Sequence, residues 1–286
     1  MQHPEKSPAL RQPATSRRAW LAGMSGAGIA LAAGTASAPA QAARVATTAH
    51  IVIAGSGLGG LAMAHRLTKM LDGAKVTVID AKEEHNYQPG YTLVATGVWP
   101  VGKVIDQNAD FMPAGVEWVK DMVAEFDPAA NTVVTASGQR IAYDYLVVAV
   151  GTHQDWSLIE GMDLQAIGQN GLTSVYPSSG AAVATWAAMD AFQKKGGKAV
   201  MTLPSTALKC AGAPLKMAFM LRDRLAQSGT VDQSEVMFYS ALGNVFGVKS
   251  VNDNVLDCLK DLAVALESHQ ALKSLDIGAL RATLSH

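Results

Sequence analysis

The sequence predicts an α/β protein made of two strand–helix–strand units, and three observations carry that reading. A short apolar strand pattern runs straight into a Gly-rich turn and an amphipathic helix pattern within residues 50–71. A second apolar strand follows and ends on an acid, Asp80, and strand and helix patterns alternate again from Lys198 onward. The composition agrees: 286 residues, 49% hydrophobic and 16% charged, supply enough apolar material for packed cores and exclude disordered, collagenous and coiled-coil classes. A formal net charge of -1 leaves no electrostatic footprint for nucleic acid. The two cysteines, Cys210 and Cys258, are too few for a disulfide framework.

Residues 1–42 read as an address. Ser16-Arg17-Arg18-Ala19-Trp20-Leu21 leads into a mild Gly/Ala-rich run at residues 22–36, with small residues around Ala40-Gln41-Ala42 for a peptidase. Paired arginines before a weak apolar region match the twin-arginine export pattern. The run is too short, and too broken by glycine, to span roughly 30 Å of hydrocarbon. A mature chain starting near Ala43 in an oxidising periplasm is the expectation.

In the first unit, His50-Ile51-Val52-Ile53-Ala54 reads as a strand and Gly55-Ser56-Gly57-Leu58-Gly59-Gly60 as a tight turn into a helix whose apolar positions are Leu61, Ala64, Leu67 and Leu71. Gly55 permits the turn, Gly57 lets backbone approach a pyrophosphate, and Gly60 lets the helix lie close to the strand. The helix N-terminus offers amide donors to phosphate charge. Lys75-Val76-Thr77-Val78-Ile79 is the next strand, and Asp80 falls twenty residues after Gly60, where a carboxylate accepts hydrogen bonds from an adenosine ribose; a strand-end acid capping its own turn is the alternative.

The chain does not then continue with helices. Val116-Glu117-Trp118-Val119, Met122-Val123-Ala124-Glu125-Phe126 and Thr132-Val133-Val134 read as short strands of a β-meander, with Asp127-Pro128 and Ser137-Gly138 as turns. A buried strand is expected over residues 143–152, closing on Gly151-Thr152. A Gly-rich opening turn, an acidic strand end, a meander and an apolar strand ending in Ala149-Val150-Gly151-Thr152 together resemble the two-dinucleotide-binding flavoproteins, whose first site holds FAD. That resemblance implies a Rossmann-like fold and adds Gly151 to the cofactor-binding set.

The second unit alternates strand at residues 199–203, helix at 215–225, strand at 235–239 and helix at 252–266. Its first turn, Pro204-Ser205-Thr206-Ala207-Leu208-Lys209-Cys210-Ala211-Gly212-Ala213-Pro214, has no glycine fingerprint, so pyridine nucleotide binding is not supported there. Pro214 suits the first helical position, which sets Cys210 just ahead of a helix N-terminus with Lys209 and Lys216 close in sequence. These neighbours favour a thiolate, whereas cysteine statistics alone would equally make Cys210 a small buried apolar residue. Cys258 shares a helix with Val255, Leu259 and Leu262 and is expected in the core, as are Met217 and Met220. His65, His85 and His153 show no metal-ligand spacing, and no metal is expected.

Lys209-Cys210-Ala211-Gly212-Ala213-Pro214-Leu215-Lys216, together with the run Ala241-Leu242-Gly243-Asn244-Val245-Phe246-Gly247-Val248-Lys249, is similar to sulfide:quinone oxidoreductase, in the branch that includes the mitochondrial enzymes. Tyr87-Gln88-Pro89, Tyr91-Thr92-Leu93-Val94 and Gly115-Val116-Glu117-Trp118 fit the same family. The resemblance implies oxidation of sulfide to persulfide or polysulfide, with two electrons passed through FAD to a quinone. It implies an FAD site with Leu58 and Gly59 at the phosphate turn, Asp80 at the ribose, Gln88 after the second strand and the Val123 backbone near the adenine. Cys210 would be one redox-active cysteine. No cysteine precedes it, so the FAD would be noncovalent.

The implied organisation is an export signal at 1–42, the first part of an FAD-binding domain with its meander at 43–155, and a second Rossmann-like domain bearing the redox cysteine at 156–286. The family returns to its FAD domain through a Gly-Asp pair and supplies a second cysteine and a membrane and quinone module. This chain has no Gly-Asp pair and closes in an alternating strand pattern over residues 271–286. It therefore reads as incomplete at the C-terminus, a fragment or a truncated remnant without turnover. The rival enzyme class is the flavoprotein subunit of a periplasmic sulfide dehydrogenase that donates to cytochrome c. Peripheral membrane contact is expected of the intact protein.

Overall fold

A computed structural model describes residues 43–206 and 208–285, so the export signal read at 1–42 lies outside the described residues. The first unit begins with β1 (His50–Ala54), which enters α1 (Leu58–Met70) through the Gly-rich turn, followed by β2 (Lys75–Ile79). A long excursion with little regular structure leads to β3 (Glu117–Val119). Then come β4 (Val123–Asp127), β5 (Thr132–Thr135), β6 (Arg140–Ala142) and β7 (Tyr145–Val148). Strands β7, β1, β2 and β3 form one parallel sheet in that order, and β6, β5 and β4 form an antiparallel meander.

Alternation along the strands explains the layers. Val52 and Ile79 point into a cluster with Val133 and Ile141 of the meander, while their neighbours Ile53 and Val78 pack with Ala64, Met63 and Leu67 of α1. Successive side chains on a strand face opposite ways, so a run of consecutive apolar residues is what a sheet covered on both faces requires.

The second unit runs α2 (Ser179–Lys195), β8 (Gly197–Leu203), α3 (Gly212–Ser228), β9 (Ser234–Ser240), α4 (Lys249–Asp261) and β10 (Val264–Ser268). β8, β9 and β10 are parallel, and Leu203, Leu215, Leu221, Leu225, Phe238 and Leu259 make their core. The expected strand pattern at the end of the chain is a hairpin of β11 (Ala271–Asp276) and β12 (Arg281–Ser285), joined to Glu160 by backbone hydrogen bonds.

Five local expectations are corrected. The 116–119 stretch does not belong to the meander: Glu117–Val119 pairs in parallel with β2. The strand expected to be buried over 143–152 is an edge strand, Tyr145–Val148, with Tyr145 and Val148 64% and 57% exposed, because an edge strand has a neighbour on one side only. The helix expected over 252–266 ends at Asp261; Ala263 adopts φ +51° and breaks it, and Val264 and Leu266 pair with β9 instead. That run is apolar at both helical and strand spacing, and pairing decided between them. Leu71 caps α1 rather than extending its apolar face, and pairs with Val45. Cys258 is exposed, since α4 buries Leu259 and turns its neighbour outward.

Candidate functional site

The Gly-rich turn is shaped by backbone contact. Gly55 sits at φ +106°, and a Cβ there would lie 2.4 Å from the Ala149 carbonyl oxygen. A Cβ on Gly60 would lie 1.8 Å from the Gly55 carbonyl oxygen, so only hydrogen fits. Gly57 differs: it is the N-cap of α1, a Cβ there would meet nothing within 4 Å, and the cap has no side-chain hydrogen bond. Leu58 (75% exposed) and Gly59 continue this open edge. An uncapped helix N-terminus bordered by glycines is what a pyrophosphate needs. The residues present therefore fit FAD, with Gly55 and Gly60 forming the cradle and Gly57, Leu58 and Gly59 at its mouth.

Asp80 is held at that turn. Its two carboxylate oxygens accept hydrogen bonds from the Ser56 backbone N–H (2.7 Å) and the Lys82 N–H (2.8 Å). Asn108, buried, donates to the Ser56 hydroxyl and to the Lys82 carbonyl, both at 2.8 Å, and Trp118 Nε1 donates to the Asp80 carbonyl at 2.9 Å. A carboxylate has about four lone-pair positions, so capacity remains for ribose hydroxyls. Gly151, at φ +80° and exposed, lies two residues beyond the Ala149 backbone that abuts Gly55. Val123 opens β4 and packs into the meander cluster.

The second turn, between β8 and α3, carries Cys210, which is exposed. Pro214 is the third helical residue rather than the first, and the Ala213 N–H bonds to the Cys210 carbonyl at 3.2 Å. Both are compatible with a helix start, because first-turn amides have no intrahelical acceptor. Lys209 donates to Gln88 Oε1 across 121 positions of sequence, and its ammonium stands 5.7 Å over the Tyr176 ring. Gln88 itself sits on a short turn whose neighbour Tyr91 packs with Val94, Val104, Val175 and Ala182. The tertiary structure thus joins two predicted site residues, Gln88 and Cys210, through Lys209. Tyr176, Ser56 and Asn108 are additions: each is a lone polar residue without a spacing signal, found only through its contacts.

Of the three histidines without metal-ligand spacing, two make hydrogen bonds: His65 Nε2 contacts the Phe111 carbonyl and His85 Nδ1 contacts Asn108 Oδ1, each at 2.8 Å. Met217 packs in the second core as expected, and Met220 Sδ accepts from the Thr96 hydroxyl at 3.6 Å. Among the described residues no group of three His, Cys, Asp or Glu side chains could hold a metal ion, and no helix is long and apolar enough to cross a membrane.

Two parallel sheets, one with a glycine cradle at the helix start that follows it and the other with a cysteine ahead of its helix, are the arrangement of a dinucleotide-binding oxidoreductase fold. The chain belongs to the pyridine nucleotide-disulphide oxidoreductase family, whose profile matches residues 49–201. It is 32% identical over 220 residues to the mitochondrial sulfide:quinone oxidoreductase of Mus musculus, covering 76% of this chain and 47% of that protein. It is 38% identical over 208 residues to the mitochondrial sulfide:quinone oxidoreductase of Dictyostelium discoideum, covering 72% and 45%. The crystal structure of the Aquifex aeolicus sulfide:quinone oxidoreductase superposes with a TM-score of 0.69 at 22% identity, covering 83% of this chain and 56% of that one. The chain spans about half the length of the curated relatives it matches.

Proposed function

We propose that this protein oxidises sulfide and delivers the electrons to a quinone, with Cys210 as the thiol that receives the sulfur. The mitochondrial relatives named for that reaction support the reading, and one structural observation carries it: Cys210 is exposed on a turn that Lys209 ties to Gln88, one of the residues expected in the FAD site. FAD, when bound, supplies a two-electron acceptor. The chain's own part is to hold the pyrophosphate at the start of α1, to orient the ribose with Asp80, and to present the Cys210 sulfur. Each hydrosulfide loses two electrons and becomes zero-valent sulfur carried as a persulfide, while the quinone takes up the two electrons with two protons. The second nucleotide turn carries Cys210 where a glycine cradle would stand, which weighs against a nicotinamide substrate.

The experiment is sulfide titration of the flavin-loaded chain. Bleaching of the oxidised flavin absorbance is expected in the wild type and its loss in Cys210→Ser; bleaching that survives the substitution overturns the role of Cys210. Electron delivery to a water-soluble quinone, measured beside delivery to cytochrome c, separates the proposed acceptor from the rival one. The twin-arginine pattern supports a periplasmic location with peripheral membrane contact to reach quinone. Fractionation is expected to recover the chain from the periplasm, and replacement of Arg17 and Arg18 by lysine to retain it in the cytoplasm.

A further inference from the structure

Asn108 is buried, and both polar atoms of its side-chain amide are bonded. Nδ2 donates to the Ser56 hydroxyl and to the Lys82 carbonyl, and Oδ1 accepts from His85 Nδ1, each at 2.8 Å; the backbone N–H donates to the Glu83 carbonyl at 2.7 Å. The two residues that the amide nitrogen bridges are the two whose backbone N–H groups hold the Asp80 carboxylate, one on each oxygen. We infer that Asn108 is a positioning residue for the adenosine ribose: by fixing the gap between Ser56 and Lys82 it aims the free lone pairs of Asp80 at the ribose hydroxyls. The inference rests on the reading of Asp80 as the ribose-binding acid and names the residue that sets its direction.

Either backbone grip alone would leave the carboxylate poorly aimed. The Lys82 bond spans two residues and is the local turn that any strand-end acid can make, and a single bond from Ser56 lets the group pivot about it. Holding both donors at one separation removes the pivot. Asn108 does this from a distant stretch of chain, 52 positions from Ser56 and 26 from Lys82, anchored by the antiparallel pairing of Glu84–Asn86 with Ile105–Gln107. Trp118 fixes the other end of the same residue by donating from Nε1 to the Asp80 carbonyl at 2.9 Å. A buried amide is costly unless it is bonded, and a fully bonded one makes its surroundings rigid. A carboxylate already aligned loses less freedom when a ligand arrives.

The test is calorimetric titration of the chain, freed of bound flavin, with ADP and with 2′-deoxy-ADP. Both probes carry the diphosphate for the start of α1, and only ADP carries the 2′-hydroxyl that a strand-end acid recognises. The wild type is expected to prefer ADP about ten-fold, the value of one hydrogen bond to a charged acceptor. Asn108→Leu keeps the volume and removes the amide, and should cut the preference to about two-fold. Asp80→Ala should abolish it, and the double variant should match Asp80→Ala. A ratio of affinities does not change with the fraction of folded protein, so it separates aim from stability. If Asn108→Leu does not fold, Ser56→Ala decides, because it deletes only the hydroxyl that receives the amide and should also lower the preference. A preference lost in Asp80→Ala but intact in the deciding variant overturns the inference alone. A wild type without the preference, or Asp80→Ala that keeps it, overturns the ribose reading and the inference with it.

Discussion

The two turns that start α1 and α3 are built on the same plan and do opposite things. Each leaves the end of a parallel strand and enters a helix. The first is closed by backbone against backbone: Gly60 and Gly55 stand where no side chain fits, which brings an uncapped helix start flush with the strand. The second is loose, since a Cβ on its Gly212 would meet nothing within 4 Å, and its exposed feature is a thiol. Under the proposed function, tightness at the first turn suits a ligand recognised by backbone amides, and openness at the second suits a side chain that must be reached.

Glycine substitutions sharpen that contrast. Gly60→Ala is expected to have the largest effect, destabilising the chain by about 2–4 kcal/mol in urea unfolding, because its Cβ would collide with a carbonyl that cannot move without opening the turn. Gly57→Ala should fold with a loss under about 1 kcal/mol yet retain less flavin per polypeptide, since the methyl projects from the open cap. Gly212→Ala should raise stability by about 0.5 kcal/mol through the unfolded chain. Equal effects of the Gly60 and Gly212 substitutions would erase the distinction between the turns.

The opposite ends of the two sheets differ as well, more mildly. At the start of β1 and β2, His50 Nε2 contacts the Thr77 hydroxyl at 2.8 Å, Thr77 donates to Glu117 at 3.1 Å, and Lys75 pairs with Glu117 at 3.1 Å. Burial first, then the Lys75 charge, hold His50 below its ordinary value of 6.5, and the Lys75 hydrogen bond holds Glu117 below 4.5. Both folded-state values are depressed, so both contributions are complete above pH 6.5. The His50 part is lost as pH falls below that value, and the Glu117 part below pH 4.5. His50→Asn is expected to shrink the drop in urea midpoint between pH 7.5 and 5.5; an undiminished drop would assign it elsewhere. The matching end of the second sheet has an exposed Lys198–Glu235 pair at 3.2 Å, and Lys198→Ala should change stability by less than about 0.5 kcal/mol.

Much of this molecule was legible in one dimension. Gly55, Gly57, Gly60 and Asp80 announce the predicted cofactor turn because its chemistry is local: three backbone demands lie within one strand, one turn and one helix, and the carboxylate ends the next strand. The Cys210 segment is legible for the same reason. Less legible was whatever depends on a partner strand. Residues 116–119 and 264–268 have no pattern that says which sheet they join, and the exposure of Tyr145 follows from β7 lying at an edge.

What the sequence determined by itself is therefore the set of chemical parts: a glycine cradle, a strand-end carboxylate and a thiol ahead of a helix. Only the tertiary structure decided which distant side chains serve them. Lys209 meets Gln88 across 121 positions and Tyr176 comes under Lys209, because the helical turn at Tyr91 packs beside α2 and the start of α3. Local spacing encodes backbone conformation, whereas contacts between remote side chains arise from the burial of apolar surface that those side chains do not themselves contain.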